Sequence, residues 1–193
     1  MPQGPDPFDA LRRALSRRAP RRILAPGRSC TSVALILAGA RPRDLAVLLM
    51  ERVQHPHDPW SGHVALPGGH SEPEDADRLA TALRETEEET GLRLRPEDLL
   101  GELDDLSPRT ATYPELAVRP FVFGLLRRPA CAPGPEAAEC FWVRLDGLPP
   151  AVCAETFVIA GQPRRLPAFK LGNRIVWGIT YRILRSLLEL ARL

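Results

Sequence analysis

Three glutamates, Glu85, Glu88 and Glu89, stand at spacing i, i+3 and i+4 within the run Arg-Glu-Thr-Glu-Glu-Glu-Thr-Gly-Leu, residues 84–92. On a helix of about 3.6 residues per turn they share one face. Carboxylates stacked in this way repel one another at neutral pH, and a cation among them relieves the repulsion. A set made of carboxylates alone, without His or Cys, suits a hard ion such as Mg²⁺ or Mn²⁺. A glutamate-rich helical run taken by itself is more often a solvated face. Its neighbours point the other way. Gly68 and Gly69 precede it and let bare backbone approach a ligand or turn with positive φ. Pro67 stiffens the entry, and Gly91 stands where a helix C-terminal glycine is expected. Together they describe a loop–helix–loop device.

Residues 69–92 resemble the Nudix box, Gly-x5-Glu-x7-Arg-Glu-U-x-Glu-Glu-x-Gly-U, where U is a bulky apolar residue. Gly69, Arg84, Glu85, Glu88, Glu89, Gly91 and Leu92 match in register. Asp75 replaces the first Glu, the spacer to Arg84 is eight residues long instead of seven, and Thr86 takes the first apolar position. The longer spacer is similar to that of the coenzyme A pyrophosphatase branch. That branch also carries an upstream motif close to Leu-Leu-Thr-x-Arg…Arg-x3-Gly-x3-Phe-Pro-Gly-Gly. Here Arg52, Gly62 and Pro67-Gly68-Gly69 match, while Glu51, Asp58 and Leu66 replace Thr, Arg and Phe. Losing an Arg where an anion should dock weakens the match.

The resemblance implies an α/β/α sandwich with a mixed β-sheet and a diphosphatase that uses Mg²⁺ or Mn²⁺. It implies Glu85, Glu88, Glu89 and the Gly69 carbonyl as metal ligands. Arg84 either contacts phosphate or, the favoured reading, orients a box carboxylate through a salt bridge. Glu88 is one candidate for the base; Glu136, just before Cys140-Phe-Trp142, is another, with Glu139 beside it. Substrate contacts are expected from Arg52 and Gly68. Trp177, within a segment similar to the branch's late Trp-Gly-x-Thr, and Tyr181 either stack on an adenine or belong to the core. His55, His57, Trp60 and His63 flank the site region. The expected partner is a small nucleotide: coenzyme A or a CoA ester first, then ADP-ribose, a dinucleotide or a dinucleoside polyphosphate. A module that binds nucleotide or RNA without catalysis is the alternative from another class. Such modules usually lose box glutamates, and all three are present.

Composition bounds the rest. The 193 residues suffice for one domain with a real core, and 44% hydrophobic with 26% charged residues is globular. A net charge of +2 gives no basic field that demands nucleic acid. Lys170 is the one lysine; every other cation is Arg. Cys30, Cys131, Cys140 and Cys153 show no CxxC spacing, so reduced thiols and a cytoplasmic location are expected. Cys30 and Cys140 are expected in the core. There is no apolar run long enough for a membrane span. A homodimer is compatible with the chain.

Residues 1–28 are read as an extension with a short helix carrying Phe8, Leu11 and Leu15, and residues 29–193 as a single domain. The arginines of the extension (Arg12, Arg13, Arg17, Arg18, Arg21, Arg22) read as a solvated face, with contact to RNA or an acidic substrate as the other reading. Strands are expected at 32–37, 45–51, 63–66, 99–106, 117–126, 140–145, 156–159 and 167–171, with a Pro-rich surface loop at 127–135. The box helix should run from an Asp75 or Asp77 cap to about Thr90, with Leu79, Ala82, Leu83 and Thr86 toward the core. Asn173 should cap a last helix that reaches about Leu190.

Overall fold

The computed structural model describes residues 6–23, 30–54, 62–108, 116–148, 153–159 and 161–191. His55, His57, Asp58 and Trp60 lie outside them. In chain order the elements are α1 (Asp9–Ser16), β1 (Cys30–Ala38), β2 (Ala46–Arg52), β3 (Val64–Ala65), β4 (Gly68–His70), α2 (Arg78–Thr90), β5 (Leu99–Glu102), β6 (Ala117–Leu125), β7 (Ala137–Arg144), β8 (Cys153–Ile159), β9 (Gln162–Leu171), β10 (Arg174–Trp177) and α3 (Gly178–Ala191).

Strand β1 is apolar on both sides, as a central strand must be. Ala34 and Ile36 face a cluster with Ala82 of α2 and with Leu48, Phe121 and Phe123. Leu35 and Leu37 face the opposite cluster, with Leu11 and Leu15 of α1 and Ile183, Leu184 and Leu187 of α3. The result is an α/β/α sandwich. The sheet is mixed: β6 runs parallel to β1 along its whole length, and the other pairings are antiparallel.

One irregularity creates the site. With β6 on one edge of β1 and β7 on one edge of β2, only one edge of each remains. These edges pair with each other only at Leu37–Ala38 and Ala46–Val47. Beyond that the strands splay. Strand β3 takes the freed edge of β2 at Met50–Glu51, and β4 takes that of β1 at Thr31–Val33. The Leu66–Pro67 link between β3 and β4 therefore sits in a wedge in the sheet. The glycine turn read from the sequence is thus partly strand. Gly68 makes this possible: at φ +149° a Cβ would overlap the Ser32 carbonyl and the Val33 Cα.

Four other expectations are corrected. The last helix begins at Gly178, not after Asn173, because Arg174–Trp177 form β10 against β9. Gly172, at φ +62°, and Asn173 turn that hairpin. The preceding hairpin is longer than expected, Cys153–Ile159 pairing with Gln162–Ala168. The arginines of the extension are not all a solvated face. Arg18 and Arg21 bind Asp104, and Arg22 binds Glu102 and Asp105. Cys30 and Cys140 are only partly buried. No helix among the described residues is long and apolar enough to cross a membrane.

Candidate active site

Helix α2 carries the acidic ladder and is fixed at both ends. Asp77 is the N-cap, its Oδ1 accepting from the Ala80 N–H at 2.8 Å, and Gly91 closes the C-terminus at φ +68°. Its last carbonyls are met by the 127–135 loop: the Ala132 N–H reaches Thr90 O at 2.9 Å and the Gly134 N–H reaches Glu89 O at 3.0 Å. That loop is docked, although its side chains are largely exposed. Ala82 and Thr86 are buried; Leu79 and Leu83 are partly buried against the same cluster.

Glu89 is 4% exposed, and its Oε2 accepts from the Gly68 N–H at 2.7 Å. Burial, with the charges of Glu85 and Glu136, pushes its carboxyl up to about 8 against the opposing pull of Gly68 and Arg52. Burial also raises Glu85, opposed by Arg84. A Cβ on Gly69 would overlap the Glu85 carboxylate, so the bare glycine is what admits that group. Glu88 is the outer rung, with its side chain 58% exposed.

Arg84 is the hub. Its Nε and Nη2 make a bidentate pair with Asp75 at 3.1 and 3.0 Å, and Nη2 also reaches His70 O at 2.9 Å. Its Nη1 takes Glu85 and Glu88, each at 3.0 Å. The Arg84 hydrogen bonds hold the Asp75 carboxyl well below the usual carboxylate range. The two departures from the motif, Asp for Glu and one extra spacer residue, therefore leave this anchor intact.

On the other wall, Arg52 at the end of β2 lies 3.8 Å from Glu89 and 3.8 Å from Glu136. Glu136 comes near because the β2–β7 ladder is irregular there. Glu51 pairs with Glu139 and Arg52 with Ala137, leaving Ala138 extra, as in a bulge. The Val53 N–H then bonds Glu136 O at 2.9 Å. Glu139 turns elsewhere, onto Arg174. Of the predicted residues, Arg52, Gly68, Gly69, Arg84, Glu85, Glu88, Glu89 and Glu136 thus share one neighbourhood. Trp177 does not: it packs with His63 and Phe157 beside the small sheet.

Among the described residues, no three His, Cys, Asp or Glu side chains converge as an ion would require. The Arg84 guanidinium supplies the positive charge between Glu85 and Glu88 instead. The donor chemistry nevertheless fits a hard divalent ion: all-oxygen ligands, two of them carboxylates whose burial disfavours charge without a cation, beside a glycine with no side chain to block approach.

A family profile described as NUDIX domain matches residues 29–158. The human mitochondrial coenzyme A diphosphatase NUDT8 is 32% identical over 189 residues, which cover 93% of this chain and 75% of that one. The uncharacterized Nudix hydrolase NudL of Photorhabdus laumondii is 27% identical over 174 residues, 88% of both chains. Two other relatives, from fission yeast and mouse, match over shorter stretches, and the chain covers 27% and 45% of their lengths. The crystal structure of a MutT/nudix family protein from Enterococcus faecalis shares the fold, with a TM-score of 0.59 at 21% identity, covering 89% of this chain and 64% of that one. The chain belongs to the Nudix hydrolase family.

Proposed function

We propose that this protein hydrolyses the diphosphate linkage of a nucleoside diphosphate derivative, with coenzyme A or a CoA ester as first substrate and Mg²⁺ or Mn²⁺ as cofactor. The observation that carries the reading is the pair of buried Glu89 and partly buried Glu85 held against Gly68 and Gly69, with Arg84 fixed by Asp75 behind it. Glu85, Glu88, Glu89 and the Gly69 carbonyl would hold the ion. When bound, it neutralises phosphate oxygens and acidifies a coordinated water. Arg84 keeps the carboxylates aimed, acting as a positioning residue. Arg52, poised between Glu89 and Glu136, exchanges a carboxylate for a phosphate oxygen when substrate arrives. Glu88, the exposed rung, accepts the proton of the attacking water; Glu136 at the rim is the alternative acceptor. The water oxygen bonds one phosphorus as the bridging P–O bond breaks. From coenzyme A the products are 3′,5′-ADP and phosphopantetheine.

The name of the human relative and the residues shared with the coenzyme A branch support that substrate. Glu51, in place of Thr and engaged by Arg174 at 2.9 Å, departs from the coenzyme A motif and leaves an ADP-ribose or dinucleotide substrate as the second reading. A panel of these compounds with Mg²⁺ and Mn²⁺, with products identified by mass, separates the two. Phosphate released from a monoester, or turnover that ignores the metal, rejects the class. Glu88→Gln should fold normally and turn over at least about tenfold more slowly. The same variant at the wild-type rate removes Glu88 from the mechanism. Partly buried thiols at Cys131 and Cys140 suit a reducing compartment such as the cytoplasm.

A further inference from the structure

A cleft of about 290 Å³ opens between His63, at the start of β3, and the β9–β10 hairpin. Glu51, His63, Phe157, Asn173, Arg174 and Trp177 are among the residues that line it. We infer that this cleft is the site for the nucleobase of the substrate, which stacks on the Phe157–Trp177 plate. The inference rests on the nucleotide reading above and adds to it where the base sits.

Three observations carry it. First, the wall is a preassembled aromatic surface. The Phe157 and Trp177 rings stack with centroids 4.0 Å apart and planes 14° apart, and His63 meets Trp177 edge-on at 4.9 Å. Both stacked rings are half-buried and border the cleft. A ring held from behind and from its edge loses little freedom when a second plane settles on it.

Second, the floor is ill suited to phosphate. Arg174 is bound by Glu51 at 2.9 Å and by Glu139, and it lies over the Phe141 ring. With Glu139 outside the lining, Arg174 is matched by two carboxylates and offers little positive charge to a phosphate. Such a floor does little to attract a diphosphate, and Glu51 can accept hydrogen bonds from the amines of a base edge. The Asn173 amide offers both donor and acceptor. The volume lies at the low end for small-molecule pockets, enough for one ring system but not a whole dinucleotide.

Third, β2 and β3 connect the cleft to the acidic ladder, although no ladder residue lines the cleft. Glu51 and Arg52 are neighbours on β2, yet Glu51 binds Arg174 and Arg52 lies beside Glu89. The two side chains therefore serve opposite faces of the sheet. From His63 and Val64 in the cleft, β3 leads directly to Gly68 beneath Glu89. A nucleoside diphosphate would straddle the end of β2, with its base behind the wedge and its diphosphate in front.

The test uses the full chain with EDTA present, so that hydrolysis is off. The indole N–H signals of the three tryptophans are followed by NMR; that of Trp177 is assigned with Trp177→Phe. Adenosine should shift the Trp177 signal, and pyrophosphate should not. Trp177→Ala should weaken adenosine binding about five- to a hundred-and-fiftyfold, whereas Trp177→Phe retains most of it. Under turnover, Trp177→Ala should raise KM and leave kcat near its original value. A Trp177 signal that ignores adenosine at millimolar concentration, or that follows pyrophosphate instead, overturns the site. A chain that hydrolyses no diphosphate while Trp177 still answers adenosine keeps the base site and fails only the catalytic reading.

Discussion

Two adjacent glycines in the wedge do different work, and substitution separates them. At Gly68 the backbone stands in the φ-positive region, and a Cβ would meet Ser32 O and Val33 Cα, which cannot move aside. Gly68→Ala should cost about 1–3 kcal/mol of stability and disturb the N–H that binds Glu89. At Gly69 a new Cβ would meet only the tip of the Glu85 side chain, which can swing away. Gly69→Ala should therefore leave the thermal midpoint nearly unchanged while weakening Mn²⁺ binding about ten- to a hundredfold. Circular dichroism melts and calorimetric Mn²⁺ titration of both variants check the contrast. Equal loss of stability at the two positions would remove the distinction.

At the scale of elements, α2 holds the ladder still because both of its ends are closed. Asp77→Ala should cost about 1 kcal/mol through the lost cap. Gly91→Ala, forced into the left-handed region with Ala132 Cβ at 3.1 Å, should cost about 1–2 kcal/mol. The ends of this 13-residue helix lie about 20 Å apart, so urea unfolding of the double variant should show the sum of the two costs. This helix was legible in the sequence because its information is contiguous: cap, acidic face and terminal glycine lie within 15 residues, Asp77 to Gly91. The rest of the site was less so. Arg52 and Glu136 reach the ladder through the splayed strands and the Ala138 irregularity, which leave no periodic mark in the chain. Arg174–Trp177 is a strand although Ile175 and Ile179 also satisfy a helical i, i+4 spacing. Only pairing with β9 decides it. The role of Arg18 depends on Asp104, 86 residues away, and no local pattern announces such a partner.

At the scale of the molecule, Asp105 forms a long-range tie, and its side chain is fully buried. Arg119 grips it bidentately at 2.9 and 3.0 Å, Arg22 at 3.1 Å and the Ile23 N–H at 3.0 Å. It thereby joins the N-terminal segment, β6 and the turn after β5. Burial alone would raise its carboxyl; the Arg119 hydrogen bonds, the Ile23 N–H and the charges of Arg119 and Arg22 outweigh it and hold it low. Asp104 and Asp75 are held low as well. A carboxyl depressed in the folded state binds fewer protons there than in the unfolded chain. Its stabilisation is complete above the unfolded value of about 3.9 and is lost as pH falls through the folded value. Urea stability should therefore decline as the pH falls below about 4. Asp105→Asn takes the carboxylate from the Arg119 pair, while Arg22 keeps Glu102, and should cost about 3–5 kcal/mol at pH 7. Because the variant has no carboxyl at 105 to protonate, it should also lose less between pH 7 and pH 3 than the parent does. Parallel pH profiles for the two proteins would mean that the tie holds no more than an exposed ion pair.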